Sequence, residues 1–282
     1  MIKTVVTLVK RWYAIPYLLL CSLVSIQSVL YLLGGNDFSL SWLGSAVALV
    51  PLVVFIGIVY FLPWIGIAHF IAIPVVAVLF GSFLAVIEMR AVPTFYTLFF
   101  GLGGVLAYIF WYSYLDRGDN QLLRIGAKLP DFSVRTLDGE ILHSTAFLGR
   151  KTLLVFYRGN WCPACQVQLR ELAAEFEEIQ RRGVSVVLIS PQAPQRSAAQ
   201  ARRFKVGMQF CIDEGNLAAR SLGIAHRYGV PLGILGYGQD TVLPTALIVD
   251  ERGKIVYADL TENFRVRPKA KTLISALDSV WM

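Results

Sequence analysis

The residues with the clearest chemical potential are two cysteines spaced two apart, in the run WCPAC at 161–165. They directly follow the apolar run TLLVFY at 152–157, which predicts a buried strand, and an amphipathic stretch typical of a helix comes next. Cys162 would therefore stand at a helix N-terminus, where unpaired N–H groups and the helix dipole favour a thiolate. Pro163 suits the first helical position, and Cys165 lies one turn further along. This spacing predicts a redox-active dithiol.

Two neighbours are expected to support this dithiol. Arg158 would add positive charge close to the thiolate, and Trp161 would shield and shape the approach to it. Half of a zinc site is the competing interpretation, but it needs two further ligands at suitable spacing. The other histidines and cysteine of this half, His143, His226 and Cys211, form no paired motif. We therefore expect no metal and no other cofactor.

Other polar or reactive groups of this half have simpler interpretations. Cys211 begins a short apolar strand and is expected to be buried and inert, with a resolving role as the alternative. Glu171 and Glu175 are spaced for one helix face and are expected to be solvated rather than to move protons at Cys165.

The elements that would position the dithiol alternate along residues 119–282. This pattern predicts an α/β fold with a mixed sheet. The predicted strands are 152–157, 184–190, 210–212, 245–249 and 255–258, and the predicted helices are 165–182, 194–204, 216–222 and 269–281.

Pro244 stands immediately before the predicted strand TALIV, where a proline is costly unless its position has a purpose. With this order of elements, the domain resembles the thioredoxin superfamily. In those folds a cis-proline at this point packs beside the C-x-x-C, and its flanking backbone pairs with the substrate. The resemblance implies a substrate-docking role for Pro244, with Leu243 and Thr245. The glycine-rich loop 229–240 precedes it and is a candidate lining for the same groove.

A closer resemblance covers residues 125–280. The runs LVFYRGNWCPACQVQLREL, SVVLISPQ, DEGNLAARSLGI and LPTALIVDERGKI look like the alkyl hydroperoxide reductase/thiol-specific antioxidant branch, in its peroxiredoxin-like C-P-x-C form. Peroxiredoxins carry P-x-x-x-T-x-x-C, which places Arg158 at the proline, Cys162 at the threonine and Cys165 at the peroxidatic cysteine. The resemblance thus leaves two roles open: Cys162 is the nucleophile of a disulfide exchanger, and Cys165 is the nucleophile of a peroxidase.

The first part of the chain has a different character. Residues 1–115 contain four basic and two acidic side chains, against 22 and 17 in the remainder. No charge interrupts 12–33, and none interrupts 38–87, which as a single helix would be about 75 Å long. Because a bilayer core is about 30 Å thick, the second stretch must fold back, and Pro63 is the expected turn. We predict an α-helical transmembrane bundle over 1–118, with four helices at about 12–33, 40–61, 64–87 and 91–115.

Lysines and arginines flank this predicted bundle at its two ends, and the intervening loops offer only Arg90, beside Glu88. With four crossings both ends share one side, and the positive-inside rule places that side, with the α/β domain, in the cytoplasm of a bacterial-type inner membrane. Three or five crossings would place the domain on the other face. Cys21 is expected to be buried in the bundle, and His69 is a candidate contact for a quinone or a partner.

The function predicted from these features is that of a membrane-anchored thiol–disulfide oxidoreductase acting on protein disulfide or dithiol partners. Peroxide reduction is the first alternative, and a membrane redox sensor without turnover is the second. The net charge of +7 does not indicate nucleic-acid binding, because the basic residues are mixed with acidic ones and form no run interleaved with aromatics. The lipid bilayer is the other expected partner.

Overall fold

The computed structural model of the protein describes residues 2–35, 37–61, 71–232 and 234–281. The chain divides into two compact units, one built mainly on Val9–Tyr114 and the other on Leu115–Val230 and Ile234–Met282. Leu115 is buried in the core of the second unit, and its N–H donates to the carbonyl of Glu262.

In the described part of the chain, four helices lie wholly or mainly in the first unit: α1 (Ile2–Leu33), α2 (Leu40–Phe61), α3 (Ala72–Glu88) and α4 (Ala91–Tyr112). Among the described residues, three segments are long and apolar enough to cross a membrane: Val5–Leu33, Leu40–Val59 and Ala91–Tyr112. The helix α3 is apolar but shorter. Within α4, Thr97–Gly103 and Tyr108–Tyr112 are π-helical. The predicted turn at Pro63 and the candidate His69 lie outside the described residues.

Glycines allow α2 and α3 to approach until their backbones touch. A Cβ atom added at Gly44 would lie 2.4 Å from the carbonyl oxygen of Gly81, and one added at Gly81 would lie 2.3 Å from that of Gly44. Ala48 and Ala85, one turn beyond each glycine, are fully buried. Small residues four apart on both helices therefore create this contact, as is common where helices pack in lipid.

Tyrosines join α1 to α4. The hydroxyl of Tyr13 donates to the carbonyl of Gly104 at 2.7 Å, and that of Tyr17 donates to the carbonyl of Phe100 at 2.8 Å. Both carbonyls lie on α4 at or next to its first π-helical stretch, where helix hydrogen bonding is irregular. Cys21, one turn after Tyr17, is fully buried in the same cluster, as expected.

Aromatic side chains gather at two levels of this unit. Tyr13 near the start of α1 contacts Trp111 and Tyr112 at the end of α4, and Tyr31 near the end of α1 stacks on Trp42 at the start of α2. The Lys10 ammonium also donates to the carbonyl of residue 114 at 2.6 Å. The start of α1 and the end of α4 therefore lie together.

The second unit is an α/β fold around a mixed sheet. Its strands are β1 (Ser133–Thr136), β2 (Ile141–His143), β3 (Lys151–Phe156), β4 (Val184–Ser190), β5 (Gln209–Ile212), β6 (Ala225–His226), β7 (Thr241–Val242), β8 (Thr245–Val249) and β9 (Ile255–Asp259). Its α-helices are α5 (Pro163–Ala174), α6 (Phe176–Arg181), α7 (Pro194–Phe204), α8 (Leu217–Ser221) and α9 (Ala270–Trp281). The sheet order is β2-β1-β5-β4-β3-β8-β9, and β6 pairs separately with β7.

The central strands are buried on both faces, so successive residues of β3 enter different cores. Leu154 and Phe156 face the core that contains α8, whereas Leu153 and Val155 face the core beneath α5, α6 and α9. Both faces are apolar, as is usual where parallel strands are covered on each side. Here β3 is parallel to β4, and β8 is antiparallel to β3. The dithiol belongs to the second of the two cores.

The prediction of one helix over 165–182 is wrong, because the structure has two helices in this segment. The backbone of Glu175 leaves helical geometry, with φ −101° and ψ 11°, and separates α5 from α6. This change of direction allows Phe176 and Ile179 to pack in the same core as Leu169 and Leu172 of α5. The strands β1 and β2, which the sequence analysis did not predict, extend one edge of the sheet.

Candidate dithiol site

The two cysteines lie at the start of α5, after a short loop that leaves β3. Cys162 is the N-cap residue, with φ −90° and ψ 111°, and Pro163 occupies the first helical turn. The N–H of Cys162 donates to the carbonyl of Gly159, whose φ of +136° favours a residue without a Cβ atom. Cys162 is 2% exposed and Cys165 is fully buried. The predicted order of strand, thiolate position and helix is the order in the structure.

All four cysteines of the chain are free thiols, and a hydrogen bond from the Cys165 thiol is the main cause of the shift in the pKa of Cys162. The Cys165 thiol lowers the pKa of Cys162 to about 6, and the positive charges of Arg158 and Arg267 act in the same direction. Burial, followed by the same hydrogen bond, raises the pKa of Cys165 well above its usual range. The arrangement therefore supports one thiolate, at Cys162, and one thiol, at Cys165.

The guanidinium group of Arg158 is buried between two aromatic rings. It is 6% exposed, and its guanidinium lies 4.8 Å from the ring centre of Trp161 and 5.4 Å from that of Phe264. One guanidinium nitrogen donates to the carbonyl of Gly229. The predicted supporting residues Arg158 and Trp161 thus contact each other beside Cys162.

Arg267 is a functional candidate that sequence reasoning missed. It donates to the carbonyl of Val266 at 2.8 Å, and its Nε and Nη2 atoms are buried with no hydrogen-bond partner in the described part of the chain. Its charge acts on both Cys162 and Cys165. Arg267 belongs to no motif and is distant from the cysteines in sequence, so only the fold could reveal it.

A buried network of amides and hydroxyls supports the loop before Cys162. The N–H of Asn160 donates to Oε1 of Gln192 at 2.8 Å, and Nε2 of Gln192 donates to the hydroxyl of Tyr157 at 3.0 Å. The Tyr157 hydroxyl donates in turn to Oε1 of Gln200 at 3.0 Å, and Nε2 of Gln200 donates to Oε1 of Gln166 at 3.2 Å. The network links the dithiol loop to α7 and to the residue after Cys165. Buried polar networks of this kind restrict a core to one conformation, although Nε2 of Gln166 has no hydrogen-bond partner among the described residues.

The loop 229–240 reaches the site through Tyr237. Its ring meets the edge of Trp161 at 6.3 Å between ring centres, and the Arg196 guanidinium covers it at 4.3 Å. Nη1 of Arg196 also donates to the Tyr237 hydroxyl at 3.1 Å. Tyr237 therefore packs against Trp161, the residue that precedes Cys162.

Pro244 lies directly before Thr245, which is paired with Phe156 at the end of β3. Its peptide bond is trans, in contrast to the cis-proline that the resemblance implies. Leu243, Pro244 and Thr245 are all buried. The N–H of Leu243 donates to the carbonyl of Ile224 at 2.7 Å, and its carbonyl accepts from the Thr245 hydroxyl at 2.9 Å. The backbone of Leu243, expected to pair with a substrate, is thus already hydrogen-bonded.

Three other candidates lie away from the dithiol. Cys211 is fully buried in β5 and faces the opposite core, where burial raises its pKa. Glu171 follows Cys165 on α5 by six residues, about 9 Å along the helix axis, and Glu175 lies beyond the end of α5, where the backbone leaves helical geometry. Neither residue shares a helical turn with Cys165.

The strand order β4-β3-β8-β9, with a dithiol at the start of the helix after β3, defines the second unit as a thioredoxin-like domain of a thiol-based oxidoreductase. Residues 125–258 match the model of the AhpC/TSA family, and this segment is similar to peroxiredoxins.

Both thiol–disulfide oxidoreductases and peroxiredoxins are among the proteins that match the chain. Thiol-disulfide oxidoreductase ResA of Halalkalibacterium halodurans is 24% identical over 62% of this chain and 81% of its own. Peroxiredoxin Bcp of Escherichia coli is 28% identical over 47% of this chain and 83% of its own. The crystal structure of peroxidoxin BcpB from Mycobacterium tuberculosis aligns with 57% of this chain and 99% of its own, at 18% identity and a TM-score of 0.48.

The thiolate at Cys162 should be visible in the pH dependence of alkylation. Because the thiolate is the reacting form, the rate with iodoacetamide should rise as the pH rises and reach half its maximum near pH 6, rather than near 8.5 as for a free cysteine. The rate is measured by mass spectrometry between pH 4 and 10, with Cys162→Ser as the control that removes this phase. A midpoint above pH 8 would contradict the thiolate assignment.

Proposed function

We propose that this chain is a membrane-attached thiol–disulfide oxidoreductase that exchanges disulfides with protein partners through Cys162 and Cys165. The observation that carries the proposal is the geometry of the pair, with Cys162 at the N-cap of α5 and Cys165 in the first turn of that helix and fully buried. Cys162, at the helix N-terminus and next to Arg158, is the thiolate, whereas the fully buried Cys165 stays protonated. The Cys162 sulfur attacks a partner disulfide and expels one partner sulfur as a thiolate. Cys165 then loses its proton and attacks Cys162, which releases the second partner sulfur.

Peroxide reduction is the second candidate function, and the similarity to Peroxiredoxin Bcp favours it. By the family pattern Cys165 would attack the peroxide. The burial of Cys165 and the direction of its pKa shift oppose that role, since a protonated, enclosed thiol is a poor nucleophile. The presence of Cys162 where the pattern has threonine opposes it as well.

The two functions are separated by comparing rates for the same reduced protein. We expect second-order oxidation by a model protein disulfide to be fast, and oxidation by H₂O₂ to be no faster than that of an ordinary free thiolate. Loss of free thiols is followed in stopped-flow quench experiments with wild-type chain and Cys211→Ala, whose buried thiol should not contribute. Peroxide oxidation faster by orders of magnitude would identify a peroxidase, and no turnover with either oxidant would favour a redox sensor.

The proposed membrane attachment involves all four helices of the first unit. The contacts of Tyr13 with Trp111 and of Lys10 with the carbonyl of residue 114 support an even number of crossings. Aromatic side chains at two levels suit the two interfaces of a bilayer. Because Lys10 and Arg11 lie near the start of α1 and Arg117, Arg124 and Lys128 follow α4, we propose that the α/β domain faces the cytoplasm. Protease treatment of sealed vesicles of known orientation tests this, and digestion from the opposite face would overturn it.

A role for Pro244, Leu243 and Thr245 in docking partners remains part of the proposal. Its support is the position of Thr245 beside the end of β3, from which the dithiol loop leaves. In the conformation described here, a partner would have to compete for the existing hydrogen bonds of Leu243.

A further inference from the structure

Arg117 is hydrogen-bonded to the docking segment, which we define as residues 243–245. Its Nη2 donates to the carbonyl of Pro244, and both Nη1 and Nη2 donate to the hydroxyl of Thr245 at 3.2 Å. Its Nε donates to the carbonyl of Thr261 at 3.2 Å. All three guanidinium nitrogens are therefore used, and they join two separate segments of the chain. Such a planar, multiply bonded group fixes the orientation of its acceptors.

No carboxylate accounts for the position of Arg117. Among the described residues, none forms an ion pair with it within 4.0 Å, and its three acceptors are uncharged. Burial lowers the pKa of Arg117 to about 10, although the charges of Asp259 and Glu262 act in the opposite direction. Removing a cation from water without an ion pair costs free energy. What these contacts supply is a fixed geometry of the docking segment.

The Thr245 hydroxyl extends this control to Leu243. A guanidinium can only donate, so Thr245 accepts from Arg117 and directs its single proton elsewhere. That proton goes to the carbonyl of Leu243, at 2.9 Å. Arg117 therefore holds two successive carbonyls of the docking segment, that of Pro244 directly and that of Leu243 through Thr245.

The docking segment lies beside the dithiol. Ala246, the residue that follows it, is buried in the same core as Cys162 and Cys165. The hydroxyl of Thr241, shortly before it, donates to the carbonyl of Arg158 at 3.0 Å. The conformation of this segment therefore determines which surface a partner chain meets next to Cys162.

We infer that Arg117 is a positioning residue for protein partners, because it holds the docking segment in one conformation while Cys162 attacks the partner disulfide. This inference rests on the proposed function and adds the group that orders its docking segment. A segment that is already ordered loses less conformational freedom when a partner binds. A small disulfide presents no chain to dock, so its exchange should not depend on Arg117.

The test compares a protein disulfide with oxidised glutathione as substrates of the full-length chain in detergent, with dithiothreitol as the reductant. We expect Arg117→Gln to raise the KM for a model protein disulfide by about tenfold, the effect of losing a hydrogen bond from a charged group, and to leave kcat unchanged. The rate with oxidised glutathione should equal that of the wild type. Arg124→Gln is the matched control, because it removes the same charge from an exposed side chain that donates to Gln121 instead.

An Arg117→Gln variant with the KM of Arg124→Gln, or with equal losses toward glutathione and the protein disulfide, would overturn the inference and leave disulfide exchange intact. Failure of the wild-type chain to turn over the protein disulfide would instead overturn the proposed function. If Arg117→Gln does not fold, Thr245→Val decides, because it removes the hydroxyl that connects Arg117 to Leu243. This variant should also raise the KM for the protein disulfide alone, and an unchanged KM would overturn the inference.

Discussion

Replacement of Cys162 by serine should abolish disulfide exchange, with a loss of at least about 10³-fold in rate. A hydroxyl in this position is not ionised near neutral pH, so neither the helix N-terminus nor the nearby arginines can activate it. The measurement is reduction of a model protein disulfide by the pre-reduced variant. Cys211→Ala serves as the matched control, because it also removes one thiol but from the opposite core.

Replacement of Cys165 by serine should give a different result. The Cys162 sulfur would still attack a partner disulfide, but the second sulfur needed to release the partner would be missing. Mixed disulfides through Cys162 should therefore accumulate and be visible on non-reducing gels. Both variants should still fold, since serine is close to cysteine in size, although the buried hydroxyl should lower the unfolding midpoint somewhat. Continued turnover of Cys165→Ser without trapped intermediates would contradict the assigned roles.

Replacement of the glycines between α2 and α3 should strongly lower the stability of this unit. In Gly44→Leu or Gly81→Leu, the new side chain would begin less than 2.5 Å from the facing backbone carbonyl, so the helices must separate. Overpacking of this kind costs about 3 kcal/mol or more where backbone cannot yield. We expect a markedly lower midpoint of thermal unfolding, followed by circular dichroism in detergent.

Gly57→Leu is the control for these variants. Gly57 lies on the same helix α2, and nothing stands within 4 Å of a Cβ atom added there. Its unfolding midpoint should stay close to that of the wild type. Equal losses for Gly57→Leu and Gly81→Leu would show that the contact between the helices does not stabilise the unit.

Much of the dithiol site could be predicted from local sequence. Three local features predicted that Cys162 lies at a helix N-terminus: the apolar run of β3, the proline at the first turn of α5 and the two-residue spacing of the cysteines. The structure has Cys162 in that position, because interactions between residues close in sequence determine each of these features. The break at Glu175 had no such signal, because no proline or glycine marks it and tertiary packing of Phe176 decides it.

Long-range contacts account for what the sequence did not reveal. Arg267 and Tyr237 reach the dithiol from segments after β9 and before β7, and only the folded sheet brings them there. The glutamines of the buried network resemble ordinary surface residues in the sequence. The peptide bond before Pro244 was expected from a resemblance to be cis, and local sequence does not determine that choice.

The residues around the dithiol determine the pH range in which the chain can react. Gln166, Gln192 and Gln200 do not titrate, and burial raises the pKa of the Tyr157 hydroxyl that connects them. Attack by the Cys162 thiolate on a partner disulfide should therefore slow as the pH falls through about 6, where Cys162 takes up a proton. Burial raises the pKa of Cys165, so release of the partner by Cys165 should become faster as the pH rises. The chain should therefore react more slowly in an acidic compartment than in a neutral or alkaline one.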